Sequence, residues 1–168
     1  MVTTLDQRWD IAAHPVDDAL SLRLLREYID EMASRYYGRQ ATAAEIDAAL
    51  AEDPSDDLAP PSGAFLVARR GGEAVGCVAM RLLSPEIGEI KRMYVAREVR
   101  GLGCGGRLLA AVQAHARTLG VRRLRLDTRH DLVEARALYA KHGFVEIPAY
   151  AERLYADHWF EKLLHDQP

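Results

Sequence analysis

EIKRMYVAREVRGLGCGGRLL, residues Glu89–Leu109, is the stretch on which the reading of this chain turns. Its first part belongs to a strand, IGEIKRMYV from Ile87 to Val95. With a period of two, Ile87, Glu89, Lys91, Met93 and Val95 are expected on one face, and Ile90, Arg92 and Tyr94 on the other. The strand runs into a glycine-rich loop, Arg100 to Gly106, with glycines at 101, 103, 105 and 106. An amphipathic helix follows, carrying Leu108, Leu109, Val112, His115, Ala116 and Leu119 on one side and closing at Gly120. A loop of this kind can turn several backbone N–H groups toward one point, where the helix dipole adds positive potential. Such a place suits a pyrophosphate, and Arg100 and Arg107 add full charges at its rim. The bland alternative is a tight turn, but four glycines in six residues lose backbone entropy that a plain connection need not lose.

Upstream, Trp9 to Ala12 reads as a short strand, and Val16 to Met32 as a helix with Leu20, Leu24, Leu25, Tyr28, Ile29 and Met32 at helical spacing. Asp17 and Asp18 suit its start, and Arg35, Tyr36 and Tyr37 its end. Thr42 and Glu45 stand in the capping-box relation at the head of a second helix, Thr42 to Glu52. The proline-, serine- and aspartate-rich segment Asp53 to Gly63 is a loop too short for an interdomain linker. AFLVARR and AVGCVAMRLL, joined through Gly71-Gly72-Glu73, form a hairpin. Downstream come a strand in RRLRLDT, a helix from Val133 to His142 closed by Gly143, and a strand from Phe144 to Ile147. The tail Tyr155 to Leu164 fits a strand or a helix.

The chain has 168 residues, 49% of them apolar, which is enough for one domain with a continuous core. Its formal net charge of -3, with the charges well mixed, argues against a nucleic-acid module. Cys77 and Cys104 lack ligand-like spacing and read as free thiols in a reducing cytoplasm. The polar start MVTTLDQRWD does not resemble a signal peptide, and no apolar run is long enough to span a bilayer. His130, His142, His158 and His165 lack metal-like spacing, so no metal is expected. A homodimer is compatible with the sequence.

Gly101-x-Gly103-x-x-Gly106 also satisfies the dinucleotide fingerprint, and Asp127 lies at about the distance of a ribose contact. Placement and length oppose that reading. The charged stretch Ala96 to Arg100 separates the apolar strand from the first glycine, and too few residues follow Gly106 to complete a doubly wound sheet. The segment Glu89 to Leu109 instead resembles the coenzyme-A-binding motif of the GNAT (Gcn5-related N-acetyltransferase) superfamily, with Arg100, Gly103 and Gly105 at the motif positions. A second signature, a helix ending in Tyr and followed by Gly-Phe, is matched by ARALYAKHGF through Tyr139, Gly143 and Phe144. Two signatures in the right order and context are far more specific than either alone. One residue departs from the pattern. Many members carry an asparagine, in contact with the cofactor arm, where this chain has Leu132.

The resemblance implies an α/β single domain with a mixed, mostly antiparallel central sheet flanked by helices. It also implies transfer of acetyl from acetyl-CoA to a small amine. Met93 and Val95 would offer backbone groups to the thioester and the pantetheine arm, and Arg100, Gly101, Leu102, Gly103, Cys104, Gly105, Gly106 and Arg107 would hold the pyrophosphate. Glu89 matches the position of a catalytic glutamate in one branch, as a base for an amine that arrives protonated. Its structural alternative is a strand carboxylate paired with Lys91 or Arg123. Tyr139 matches the tyrosine that protonates the departing thiolate; its alternative is core packing. Cys104 reads as a buried filler rather than a nucleophile. Arg35 and Tyr36 stand where relatives line the acceptor pocket, and Arg35 could hold a carboxylate. Three other readings compete: a catalytically silent acyl-CoA sensor, a protein or peptide N-acetyltransferase, and a dinucleotide-dependent redox protein.

Overall fold

The computed structural model describes residues 8–165; the segment Met1–Gln7, part of the polar start discussed above, lies outside the described residues. Helix α1 (Ala19–Tyr37) begins where the Asp18 carboxylate accepts from the Ser21 N–H at 2.9 Å, and ends where Gly38, at φ 68°, returns its N–H to the Ser34 carbonyl. Asp18 is therefore the N-cap, and the helix starts three residues after Val16. Helix α2 (Ala43–Glu52) carries the expected capping box, with Thr42 and Glu45 each bonding the other's backbone N–H.

Strand β1 (Trp9–Ala13) precedes these helices, and β2 (Gly63–Arg70), β3 (Glu73–Ser84) and β4 (Ile87–Val95) follow them. Helix α3 (Cys104–Thr118), β5 (Arg123–Thr128), α4 (Val133–Lys141), β6 (Val145–Ile147) and β7 (His158–Leu163) complete the order. The tail is thus a strand. Its 158–163 segment inserts between β5 and β6, giving one sheet in the order β1-β2-β3-β4-β5-β7-β6. Every neighbouring pair is antiparallel except β4 and β5. Among the described residues no helix is long and apolar enough to cross a membrane.

Apolar cores lie on both faces of the sheet. On one, α3 buries Leu108, Leu109 and Val112 against Val78, Met80 and Leu124. On the other, Leu24 and Leu25 of α1 meet Phe65, Val67, Cys77 and Ala79.

The expected alternation along β4 does not survive its full length. Ala79 pairs with Lys91 but Cys77 pairs with Tyr94, so two residues of β4 oppose the single residue Val78. This is a β-bulge, and Arg92 sits in it at φ 57°. An extra residue reverses the side-chain phase. Met93 and Val95 therefore join Ile90 at the α3-side core, whereas Tyr94 packs with the α1-side cluster. The Arg92 side chain anchors the irregularity by donating to the Asp53 carbonyl (2.7 Å) and carboxylate (3.1 Å). A φ above zero is costly for a side-chain-bearing residue, and these bonds offset the cost.

Candidate active site

Parallel pairing between β4 and β5 covers Ile87–Glu89 against Arg123–Arg125 and stops there. Strand β4 continues to Val95 and β5 to Thr128, β5 now held by β7 alone. The sheet is forked after Glu89, and the backbone of Ile90–Val95 loses its ladder partner on the β5 side. Such a fork offers edge groups to an extended ligand that enters between the strands.

The glycine loop lies just past the β4 arm of the fork. A 3₁₀ turn (Arg97–Val99) precedes it, and α3 begins at Cys104, earlier than the sequence pattern suggests, with Gly103 as its N-cap. The four glycines therefore do two jobs. Gly101 (φ 80°) and Gly103 (φ 87°) take a left-handed conformation that turns the chain into the helix. Gly105 and Gly106 lie inside the first helical turn, where a Cβ would stand 2.9 Å from Leu138 and 3.1 Å from His142; they let α4 approach closely. The first intrahelical bond runs from the Arg107 N–H to the Gly103 carbonyl, so the N–H groups of Cys104, Gly105 and Gly106 point along the axis without helical partners.

The two loop arginines are otherwise engaged. Arg100 donates from Nε to the Val95 carbonyl (2.9 Å) and from Nη2 to Glu31 (2.7 Å). Arg107 folds back on the Gly103 carbonyl (3.2 Å) and over the Trp9 ring. Leu102 is exposed at the tip of the turn and Cys104 is buried behind it, its thiol pushed up to about 11 by burial.

Glu89 stands at the crotch of the fork with 0% exposure. Its partners are not those expected, since Lys91 binds Asp53 and Arg123 binds Glu161. Instead Oε1 accepts from Arg81 (3.0 Å), and Oε2 accepts from the Tyr150 hydroxyl (2.7 Å) and from Arg153 (2.8 Å). Arg153 also contacts Asp127, the next residue but one along β5 from Arg125. Asp127 retains 24% side-chain exposure, and burial outweighs Arg153 in pushing its carboxyl above the ordinary range.

Tyr139, on α4, is buried with its ring against Phe144 (5.8 Å) and Phe160 (6.2 Å). Burial first, then Tyr28 and Asp127, push its phenol well up, so it holds its proton at any physiological pH. Leu132 occupies the N-cap of α4 and makes no capping bond. Arg35 does not reach into the fork; it ties α1 to α4 through Glu134 (2.9 Å) and the Asp131 carbonyl (2.7 Å). Tyr36 is 55% exposed and meets Tyr155 edge-on at 5.1 Å, with Arg129 over its ring.

Sequence reasoning missed Arg81, Tyr150 and Arg153. The last two lie in the connection between β6 and β7, and their pattern, a Tyr and an Arg in a polar loop, is common on any protein surface. Among the described residues no group of metal-ligating side chains is present.

The sequence profile of the Acetyltransferase (GNAT) family matches residues 23–144. The chain belongs to the GNAT family. It is 37% identical over 123 residues to an uncharacterised N-acetyltransferase of Schizosaccharomyces pombe, covering 72% of each chain. It is 38% identical over 109 residues to the aminoglycoside N(6')-acetyltransferase type 1 of Stenotrophomonas maltophilia, covering 57% of this chain and 71% of that one. The fold is shared with the PaiA N-acetyltransferase of Thermoplasma acidophilum, solved in complex with coenzyme A, at 19% identity and a TM-score of 0.72 over 93% of this chain and 99% of the other.

Proposed function

We propose that this GNAT protein transfers acetyl from acetyl-CoA to a primary amine of a small molecule, acting in the cytoplasm. The observation that supports the reading is the fork after Glu89: it leaves the β4 edge unpaired ahead of the glycine-capped start of α3, and Tyr139 packs in the same core as Cys104, Met93 and Val95. In this reading the N–H groups of Cys104, Gly105 and Gly106 take the pyrophosphate, with Gly101, Leu102 and Gly103 shaping the approach. The backbone of Met93 and Val95 aligns the pantetheine arm and the thioester carbonyl along the fork. Arg100 contributes by fixing the Val95 carbonyl, and Arg107 by bracing the turn at Gly103.

The amine nitrogen forms the new bond to the carbonyl carbon as the carbon–sulfur bond breaks. An amine that arrives protonated gives up one proton to a base before attack and a second once the carbon–nitrogen bond has formed, while Tyr139 gives one to the departing sulfur and is reprotonated in turn. A phenol that stays protonated suits this last task. Where the base is concerned, the occupied oxygens of Glu89 favour a charge-anchoring role, holding Arg81, Arg153 and Tyr150 in place. Asp127, partly exposed and made more basic by burial, is the carboxylate better placed to accept the proton, directly or through a water. Tyr36 and Tyr155 would line the acceptor's approach, and Arg35 would brace the α1 end of that entrance rather than touch the acceptor.

A small-molecule acceptor is supported by the aminoglycoside-acetylating relative, and coenzyme A by the complex of the Thermoplasma protein. The test is a screen of amino acids, polyamines, aminoglycosides and peptides for release of free coenzyme A, with thermal-shift comparison of acetyl-CoA against NAD and NADP. A melting shift by the dinucleotides and none by acetyl-CoA would overturn the proposal. So would the absence of turnover with every amine.

A further inference from the structure

On the α3 side of the sheet, α3, the end of α4 and β7 line a groove of about 620 Å³ that runs from Gly106 to Arg117. Gly106, Ala110 and Ala114 lie along its α3 wall at intervals of four, so the wall presents almost no side-chain bulk. The polar lining is Gln113, Arg117, His142 and Lys162, and no lining residue is acidic. Lys162 comes from β7, its stem passing over Gly143 and its ammonium 6.0 Å from the Phe144 ring centre. It donates to Oε1 of the buried Gln113 at 2.8 Å, a neutral partner that leaves the charge uncompensated. Arg117 forms no ion pair with any described residue, and its Nε is shut off from solvent without a hydrogen-bond partner.

Lys162 and Arg117 thus share a groove in which no acidic side chain balances their charge. Burial, and then the charge of Arg117, push the Lys162 ammonium below its ordinary value. A bound anion between the two charges removes both penalties. We infer that this groove binds a small dianion, a dicarboxylate or a phosphate ester, between Lys162 and Arg117, with its apolar part on the Gly106–Ala114 wall. The charged end of the site is separate from the pyrophosphate position, and Gly106 borders both. Arg117 lies eleven residues beyond Gly106, about 16 Å along the helix axis, toward the opposite end of α3.

The experiment is an amide-resolved NMR titration of the ¹⁵N-labelled protein, saturated with coenzyme A so that its own phosphate site is filled. Sodium succinate and sodium phosphate are the probes, and sodium chloride at matched ionic strength is the control. The expected result is a saturable shift centred on Gln113, Arg117, Gly143 and Lys162 with either probe, the tighter of the two assigning carboxylate or phosphate. Lys162→Gln and Arg117→Gln should each weaken it at least tenfold. Arg117→Lys should keep it within about threefold, and each variant's own spectrum reports whether it is folded. Relief of the repulsion should leave ligand-free Lys162→Gln melting no lower than the parent. Shifts equal to those in chloride, shifts seen only without coenzyme A, or binding unchanged in both folded Gln variants would overturn the site.

Discussion

Replacing Glu89 by Gln separates the two roles open to this residue. The carboxylate is 0% exposed and both oxygens are occupied, one by Arg81 and the other by Arg153 and Tyr150. A glutamine keeps the shape and one carbonyl acceptor, but it turns an NH₂ donor toward Arg81 or Arg153, and a guanidinium cannot accept. Removing one partner of a buried ion pair costs about 3–5 kcal/mol. Arg81 and Arg153 retain 27% and 28% side-chain exposure and recover part of their hydration, which lowers the expected loss to roughly 2–3 kcal/mol. For a domain of this size that is a fall in Tm of roughly 5–10 °C. The rate should fall by a factor that is constant across pH, because a misplaced Arg153 and Tyr150 alter geometry and not proton supply. A base behaves differently: its removal matters most where the amine is protonated, and parent and variant converge as pH nears the amine pKa. The assay is the ratio of parent to variant rates with one fixed acceptor from about pH 6.5 to 9.5, beside a thermal melt of each protein. Asp127→Asn is the comparison, and its ratio should decline with pH. A Glu89→Gln protein that melts like the parent, with a ratio that closes at high pH, would refute the anchoring argument and make Glu89 the base.

Tyr139→Phe should lower kcat by roughly ten- to a thousand-fold with cofactor affinity nearly unchanged, since the ring still packs on Phe144 and Phe160 and only the proton donor is lost; steady-state kinetics on the folded variant decide it. Gly103→Val should abolish the melting shift produced by acetyl-CoA, because φ 87° is strained for valine and the turn presenting the α3 N–H groups cannot keep its form. Undiminished affinity in a folded variant would move the pyrophosphate elsewhere. Glu45 has its carboxyl lowered to about 2 by Arg39 and the Thr42 backbone, so the stability it contributes is present above its ordinary value near 4.5 and is lost as pH falls toward 2. Melts of Glu45→Gln and the parent should accordingly differ at neutral pH and converge in acid.

What the sequence could reveal here was local, and what it could not was pairwise. Thr42 and Glu45 are three residues apart, so their reciprocal caps follow from the chain alone. The loop glycines were legible for the same reason, although their division into two turn formers and two packing sites depends on where Leu138 and His142 arrive. The tail had no local solution. It is a strand because the edge of β5 opposite β4 needs a partner along Arg123–Thr128, and residues 158–163 supply it.

The bulge at Arg92 shows why a correct strand assignment still misplaced its faces. Strict alternation put Glu89, Met93 and Val95 on one side, and one extra residue against Val78 sends Met93 and Val95 to the other. Nothing in IGEIKRMYV announces that residue, because its stabilising partners, Asp53 and Ser55, come from a loop nearly forty positions earlier. The same separation explains the misjudged partners of Glu89. Lys91 is two residues away and looked available, but Asp53 takes it together with Arg92. That leaves a buried carboxylate on β4 that only distant cations can neutralise, and Arg81 across the β3–β4 pairing and Arg153 from the β6–β7 connection fill the need. The acidic loop therefore determines indirectly which arginines gather at the fork. Asp53→Asn should loosen the Arg92 bulge and disturb the fork although residue 53 touches neither Glu89 nor Tyr139. Changed amide shifts at Met93–Val95 would register that coupling, and a spectrum altered only around residue 53 would deny it.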